Sequence, residues 1–256
     1  ILTDASSTIS ASTDGWLRFK AVQGVLQYAA SDGPTCEVTI ERPDGTQVEV
    51  TVARMPAGAW RGLRPDTPQL AEEVAPGIRY VDLNGLSWDR LAPHMNELMA
   101  ADGIIFDLRG YPDSAGKQIL HHFTDELIYS AYWRVPRMMK PEFADVEYQE
   151  SRWSVMPLKP RLEAEIVFIT DGSAVSYAES CMAIVEAYEL GEIVGSRTAG
   201  TNGNINQVML PGGYGMIWTG MRVVKHDGET PHQGVGVEPT IPCERTIAGV
   251  AAGRDE

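Results

Sequence analysis

Two hydrophobic periods alternate along the chain, and each change of period marks an element. Residues 166–170, Ile-Val-Phe-Ile-Thr, form a short β-branched and aromatic run leading into Asp171-Gly172, which predicts a buried strand ending in a sharp turn. Residues 175–190 follow with Ala178, Met182 and Val185 three and four apart, the spacing of a helix. Upstream, 78–83 and 103–108 read as strands on either side of a helix over 88–99, whose Leu91, Met95 and Leu98 share one face. That is a βαβ unit, with a further helix from Ser114 through Phe123. Nearer the start, Leu17, Val22, Val25 and Leu26 give 16–28 a helical period, and 36–41 and 47–52 alternate around Pro43-Asp44-Gly45 as a β-hairpin.

Other stretches lack a sustained period. Residues 55–77, with Pro56, Pro65, Pro68 and Pro76, read as a linker, so the chain divides into 1–54, the linker 55–77 and a main unit 78–256. Residues 127–162 are aromatic and irregular, which suits a substrate-binding or packing flap. Towards the end come a strand over 192–194, a Gly-bearing loop over 198–204, a meander of 206–210, 215–219 and 222–225, the loop 232–239, and an Ala/Gly-rich tail expected to fray.

Composition narrows the class. A hydrophobic share of 43% with 22% charged residues is that of a globular chain with a proper core. The net charge of −14 argues against a nucleic-acid or anionic-membrane partner. Cys36, Cys181 and Cys243 lie far apart, without metal-ligand spacing or a disulfide framework, and no phosphate-cradling glycine motif is present. No cofactor and no metal are expected, and no apolar run is long enough to span a membrane. The abrupt opening on Ile-Leu-Thr-Asp reads as a fragment of a longer protein.

The candidate chemistry sits at Ser176. A strand, a tight turn and a serine at the mouth of a helix place a hydroxyl where free backbone N–H groups and the helix dipole can hold an oxyanion. The alternative is that Ser176 only caps the helix. In an open α/β sheet ligands gather at the carboxyl ends of strands, so the loop Asp107-Leu108-Arg109-Gly110-Tyr111-Pro112-Asp113 is expected beside the Ser176 turn. Asp107 and Arg109 are expected to pair or to cap backbone there, and Glu179, one turn after Ser176, to brace the elbow. His121 and His122 read as ordinary helix residues.

Four motifs occur together: Asp107-Leu108-Arg109-Gly110-Tyr111-Pro112, Ser173-Ala174-Val175-Ser176-Tyr177-Ala178-Glu179, Gly195-Ser196-Arg197-Thr198-Ala199-Gly200, and Gly234-Val235-Gly236-Val237-Glu238-Pro239. In order and distance they resemble the S41 family of serine peptidases, the C-terminal-processing and tricorn-core group, over about residues 78–242. The resemblance implies an α/β, crotonase- or ClpP-like peptidase core preceded by a partial PDZ-like α+β segment. It also implies Ser176 as nucleophile, with oxyanion donors in the backbone of Tyr177 and of the loop holding Gly110 and Asp113. The family has glycines where Asp113 and Ser114 stand. Its processing branch uses a Lys at the position of Thr201 or Asn202, and this chain has no Lys between Lys159 and Lys225. The tricorn-like branch takes a His from a segment preceding the PDZ-like domain, a place that His94, His121, His122, His226 and His232 do not match. In that branch a Glu supports the base, where this chain has Gln233, with Glu238 as a substitute.

The resemblance therefore implies a serine endopeptidase acting on unstructured polypeptides or peptides, with a tricorn-like His outside these 256 residues, the fragment alone being nearly inactive. A catalytically degenerate S41-fold module that binds a peptide or ligand is the alternative. An acyl-CoA enzyme of the crotonase fold is a weaker third reading. The residues do not fix a location, the resemblance pointing to a periplasmic or secreted one, and oligomerisation is left open.

Overall fold

The computed structural model describes residues 9–28, 33–56, 67–142 and 144–255. Helix α1 (Asp14–Leu26) is followed by the antiparallel hairpin β1 (Thr35–Glu41) and β2 (Gln47–Ala53). Strands β3 (Glu72–Ala75) and β4 (Ile78–Asp82) then lead to the short helices α2 (Trp88–Leu91) and α3 (Met95–Met99), strand β5 (Gly103–Asp107) and helix α4 (Ser114–Gln118). The excursion that follows contains β6 (Tyr132–Arg137) and β7 (Glu147–Ser151). Strand β8 (Glu165–Thr170), helix α5 (Tyr177–Tyr188) and strand β9 (Glu192–Gly195) come next. The chain ends through β10 (Ile205–Leu210), β11 (Tyr214–Thr219), β12 (Arg222–Val224), β13 (Ile241–Pro242) and α6 (Ile247–Ala251).

A six-stranded sheet in the order β13-β9-β8-β5-β4-β3 organises the molecule. Every pairing in it is parallel except β3 with β4 at one edge. Burial follows from the apolar runs: Phe106 on β5 and Phe168 on β8 are fully buried and stack at 5.4 Å, with the Phe123 ring set edge-on to both. Leu91, Met95 and Leu98 bury against the sheet as their spacing predicts. Parallel β5 and β8 are direct neighbours, so the loops leaving their carboxyl ends lie side by side.

Some expectations change. The helix over 88–99 is broken by a 3₁₀ turn at Ala92–His94, because Pro93 has no N–H to continue the ladder. The helix from Ser114 is regular only to Gln118 and tightens into a 3₁₀ turn, Ile119–His122. The stretch 55–77 is not wholly a linker: its 57–66 portion lies outside the described residues, but β3 within it forms the edge of the core sheet. The irregular 127–162 excursion holds the antiparallel pair β6–β7, and β12 joins β6 rather than completing a meander with β10 and β11. The tail is partly helical within the described residues. It forms α6, and Asp255 receives two 2.6 Å hydrogen bonds from the Arg109 guanidinium.

Candidate active site

The turn after β8 is set by one carboxylate: Asp171 Oδ1 accepts from the Ser173 backbone N–H at 2.8 Å, and the Ala174 N–H bonds the Asp171 carbonyl at 3.0 Å. The chain then reaches Ser176, half-buried, with φ 57° and ψ −107°. That is a conformation a non-glycine residue holds only under constraint from its surroundings. Helix α5 begins at the next residue, Tyr177. Gly172 makes the turn possible in another way. A Cβ there would overlap the backbone of Gly15, so the N-terminus of α1 presses directly on the elbow.

What holds Ser176 is Glu179, whose side chain is fully buried. Its Oε2 accepts from the backbone N–H of Ser176 at 3.2 Å and of Thr201 at 2.9 Å. Its Oε1 accepts from Thr198 Oγ1 at 2.6 Å and from the Gly200 N–H at 2.7 Å. One carboxylate thus ties the elbow to the loop after β9. The loops are also joined through backbone, with Ser176 N–H to the Thr201 carbonyl at 2.9 Å and Ala199 N–H to the Ala174 carbonyl at 2.9 Å. The last glycine loop closes over them: Gly234 N–H bonds the Gly200 carbonyl at 2.8 Å and Thr198 N–H the Val237 carbonyl at 3.1 Å.

The loop after β5 forms the other wall. Buried Asp107 accepts from the Arg109 backbone N–H, the Arg109 guanidinium and the Tyr80 hydroxyl, at 2.9, 2.6 and 2.7 Å. Burial alone would raise its pKa, yet the Arg109 charge and hydrogen bonds outweigh it and leave the carboxyl below its usual value. Burial would likewise lower Arg109, but Asp255 and Asp107 hold it above its ordinary range. The chain beyond this anchor turns at Gly110, φ 129°, and the Tyr111 N–H is taken by Asn84 Oδ1 at 3.0 Å. The Asp113 carboxylate accepts from the Ser114 N–H at 2.6 Å, capping α4. Among the described residues, no acceptor takes the backbone N–H of Gly110 or Tyr177, whereas Asp113 follows the antiparallel bridge of Asn84 with Pro112, which turns its N–H towards the Leu83 carbonyl.

The remaining candidates are spread out. Gln233 lies at the elbow's rim, its Nε2 3.2 Å from Thr201 Oγ1, which in turn is 2.6 Å from Ser12 Oγ. Glu238 pairs with Arg197 at the surface instead. His94 faces Glu97, His121 and His122 bond the carbonyls of Met156 and Pro160, and His226 bonds that of Tyr129. His232 was not singled out by sequence, yet it is fully buried, its Nε2 3.0 Å from Glu179 Oε1 though not in hydrogen-bonding geometry. Nothing in its local sequence signals this, because its burial comes from the 232–237 loop folding over Glu179. Ser12 and Thr13 were missed for the same reason: Thr13 Oγ1 donates to the carbonyl of Ala199 at 3.1 Å across 186 positions of sequence. Among the described residues, no His or Lys hydrogen-bonds Ser176 Oγ, and no cluster of three His, Cys, Asp or Glu could hold a metal.

Residues 77–243 match the sequence profile of peptidase family S41. The chain belongs to that family. Solved structures of similar fold include a putative peptidase from Parabacteroides merdae, 17% identical, covering 99% of this chain and 85% of that one at a TM-score of 0.62. Mature CPAF complexed with lactacystin is 15% identical over 98% of this chain and 72% of that one, with a TM-score of 0.71. The photosystem II D1 C-terminal processing protease is 17% identical over 82% of this chain and 55% of that one, at 0.51. No curated protein matches the chain. This S41 member is accordingly of the serine-peptidase class, with a mixed α/β peptidase fold, and among its described residues no helix is long and apolar enough to cross a membrane.

Proposed function

We propose that this S41 member is a serine endopeptidase that cleaves unstructured polypeptides through an acyl-enzyme on Ser176. The observation that carries the reading is the conformation of Ser176, held at φ 57° one residue before a helix whose first N–H, on Tyr177, has no acceptor among the described residues. Ser176 Oγ would attack the peptide carbonyl and lose its proton to a base. The oxyanion would be held by the Tyr177 N–H and by that of Gly110 or Asp113. The C–N bond then breaks as the amine leaves with a proton, and water hydrolyses the ester. The Asp113 carboxylate is engaged by the Ser114 N–H and its N–H by the bridge of Asn84 with Pro112, which makes the Gly110 N–H the readier donor. The base is a His supplied from outside these 256 residues. Gln233 and Thr201, beside Ser12, form the rim against which such a segment would pack. Residues 1–54 are read as the latter part of a PDZ-like domain and 78–256 as the peptidase core.

The full-length protein treated with a serine-directed fluorophosphonate tests this: labelling confined to Ser176 supports the nucleophile, and an unlabelled Ser176 contradicts it. One observation favours a second reading, a peptide-binding module without cleavage, namely that no described His or Lys reaches Ser176 Oγ.

A further inference from the structure

A row of aromatic rings runs from the elbow into the flap. Tyr177 directly follows Ser176, and its ring lies 6.0 Å from that of Tyr111, on the loop after β5. It also meets Trp153 edge-on at 5.5 Å, and Trp153 meets Trp133 edge-on at 4.6 Å. Three separate segments therefore contribute to one surface: the oxyanion-side loop, the helix after the nucleophile, and the excursion carrying β6 and β7. Tyr111 is 52% exposed, and Tyr177, Trp153 and Trp133 are each half-buried, packing in part against the core, so every ring of the row keeps part of its surface open. Burial raises the Tyr177 hydroxyl's pKa above its ordinary value, so the ring is a neutral phenol at physiological pH.

We propose that this row is a substrate subsite that takes a neutral aromatic or large apolar side chain next to the scissile bond. The proposal rests on Ser176 being the nucleophile and adds the substrate class. Two physical arguments set that class. Aromatic rings set edge-on or offset to one another attract through their quadrupoles, so a further ring gains more there than its area burial alone. Lys117 Nζ already stands 5.1 Å over the Trp153 ring. A basic substrate side chain would compete for the same π-face and meet a like charge, so the row selects against Lys and Arg. Tyr177 joins specificity to chemistry, because its backbone is the proposed oxyanion donor and its ring is the centre of the row.

The test uses the full-length protein and three matched unstructured peptides carrying Phe, Ala or Lys on either side of one bond. The expected result is kcat/KM for the Phe peptide at least tenfold above Ala and above Lys. Trp153→Ala and Tyr111→Ala should each bring the Phe-to-Ala ratio to within about threefold. Tyr111, being half exposed, serves as the variant least able to disturb folding. Equilibrium binding of the same peptides to Ser176→Ala protein separates the two claims. If the wild type cuts nothing but Phe-peptide binding is selective and lost in both ring variants, the catalytic reading fails and the subsite stands. Equal cleavage and equal binding of the Phe and Ala peptides, or a Phe preference that survives both ring variants, overturns the subsite.

Discussion

The backbone N–H of Ser176 donates to Glu179 Oε2 at 3.2 Å, three residues ahead in the same turn, while Glu179 Oε1 lies 3.0 Å from the buried ring of His232. Removing Glu179 would leave the N–H groups of Gly200 and Thr201 and the Thr198 hydroxyl short of an acceptor, while the Ser176 N–H keeps the Thr201 carbonyl, and each such loss costs about 1–3 kcal/mol. Glu179→Ala is expected to lower unfolding stability by about 3 kcal/mol or more in denaturant titration. Glu179→Gln, which keeps the shape and one acceptor, should lose less. A loss under about 1 kcal/mol for Glu179→Ala would show that the carboxylate does not hold the elbow.

Strain at Ser176 gives a second expectation. At φ 57° and ψ −107° a Cβ is unfavourable and glycine is not. Ser176→Gly should therefore be about 1 kcal/mol more stable than Ser176→Ala by thermal or chemical unfolding, after the entropic cost of glycine is included. Equal stability of the two variants would mean that the elbow is relaxed.

Much of this was legible from the chain, for identifiable reasons. Strands 103–108 and 166–170 are apolar on both faces because both become buried in a parallel sheet, and that pattern needs no partner to be read. Asp107 and Arg109 alternate and pair locally, so their role was visible from spacing. What sequence could not show are contacts between distant segments. Ser12 and Thr13 on the 198–201 loop, His232 beneath Glu179 and Asp255 on Arg109 each depend on how loops close in three dimensions. The strand within 55–77 escaped notice because β3 is an antiparallel edge whose residues are all exposed, leaving no hydrophobic period.

The anchor beside the oxyanion loop separates buried from exposed charge. Asp107 is fully buried and Asp255 is 57% exposed, although both bond Arg109 at 2.6 Å. Asp107→Asn is expected to cost about 3–5 kcal/mol, because it leaves part of a buried pair uncompensated. Asp255→Asn should cost under about 1 kcal/mol, screened by solvent. The Asp107 carboxyl is held below its usual value, so its contribution is present above the ordinary Asp range near about pH 4. That contribution is lost as pH falls through its own lower pKa. Acid titration of stability should show this loss in the wild type and a weaker one in Asp107→Asn. Identical acid profiles would contradict the assignment.

The main chain at Asp113 offers a test of oxyanion stabilisation that leaves the nucleophile untouched. Asp113→Ala keeps the N–H and should change kcat by no more than a few-fold, whereas Asp113→Pro removes it and should lower kcat by about 10²–10³. Rates that fall equally in both variants would place the effect in the side chain, and unchanged rates would move the donor to Gly110.

The most direct measurement is cleavage of an unstructured protein substrate by the full-length protein, compared with the same protein carrying Ser176→Ala. Cleavage by the wild type, with a loss of at least about 10³-fold in the variant, is the outcome expected of an acyl-enzyme on Ser176. Cleavage that persists in Ser176→Ala, or binding of the substrate by both proteins with cleavage by neither, would contradict it.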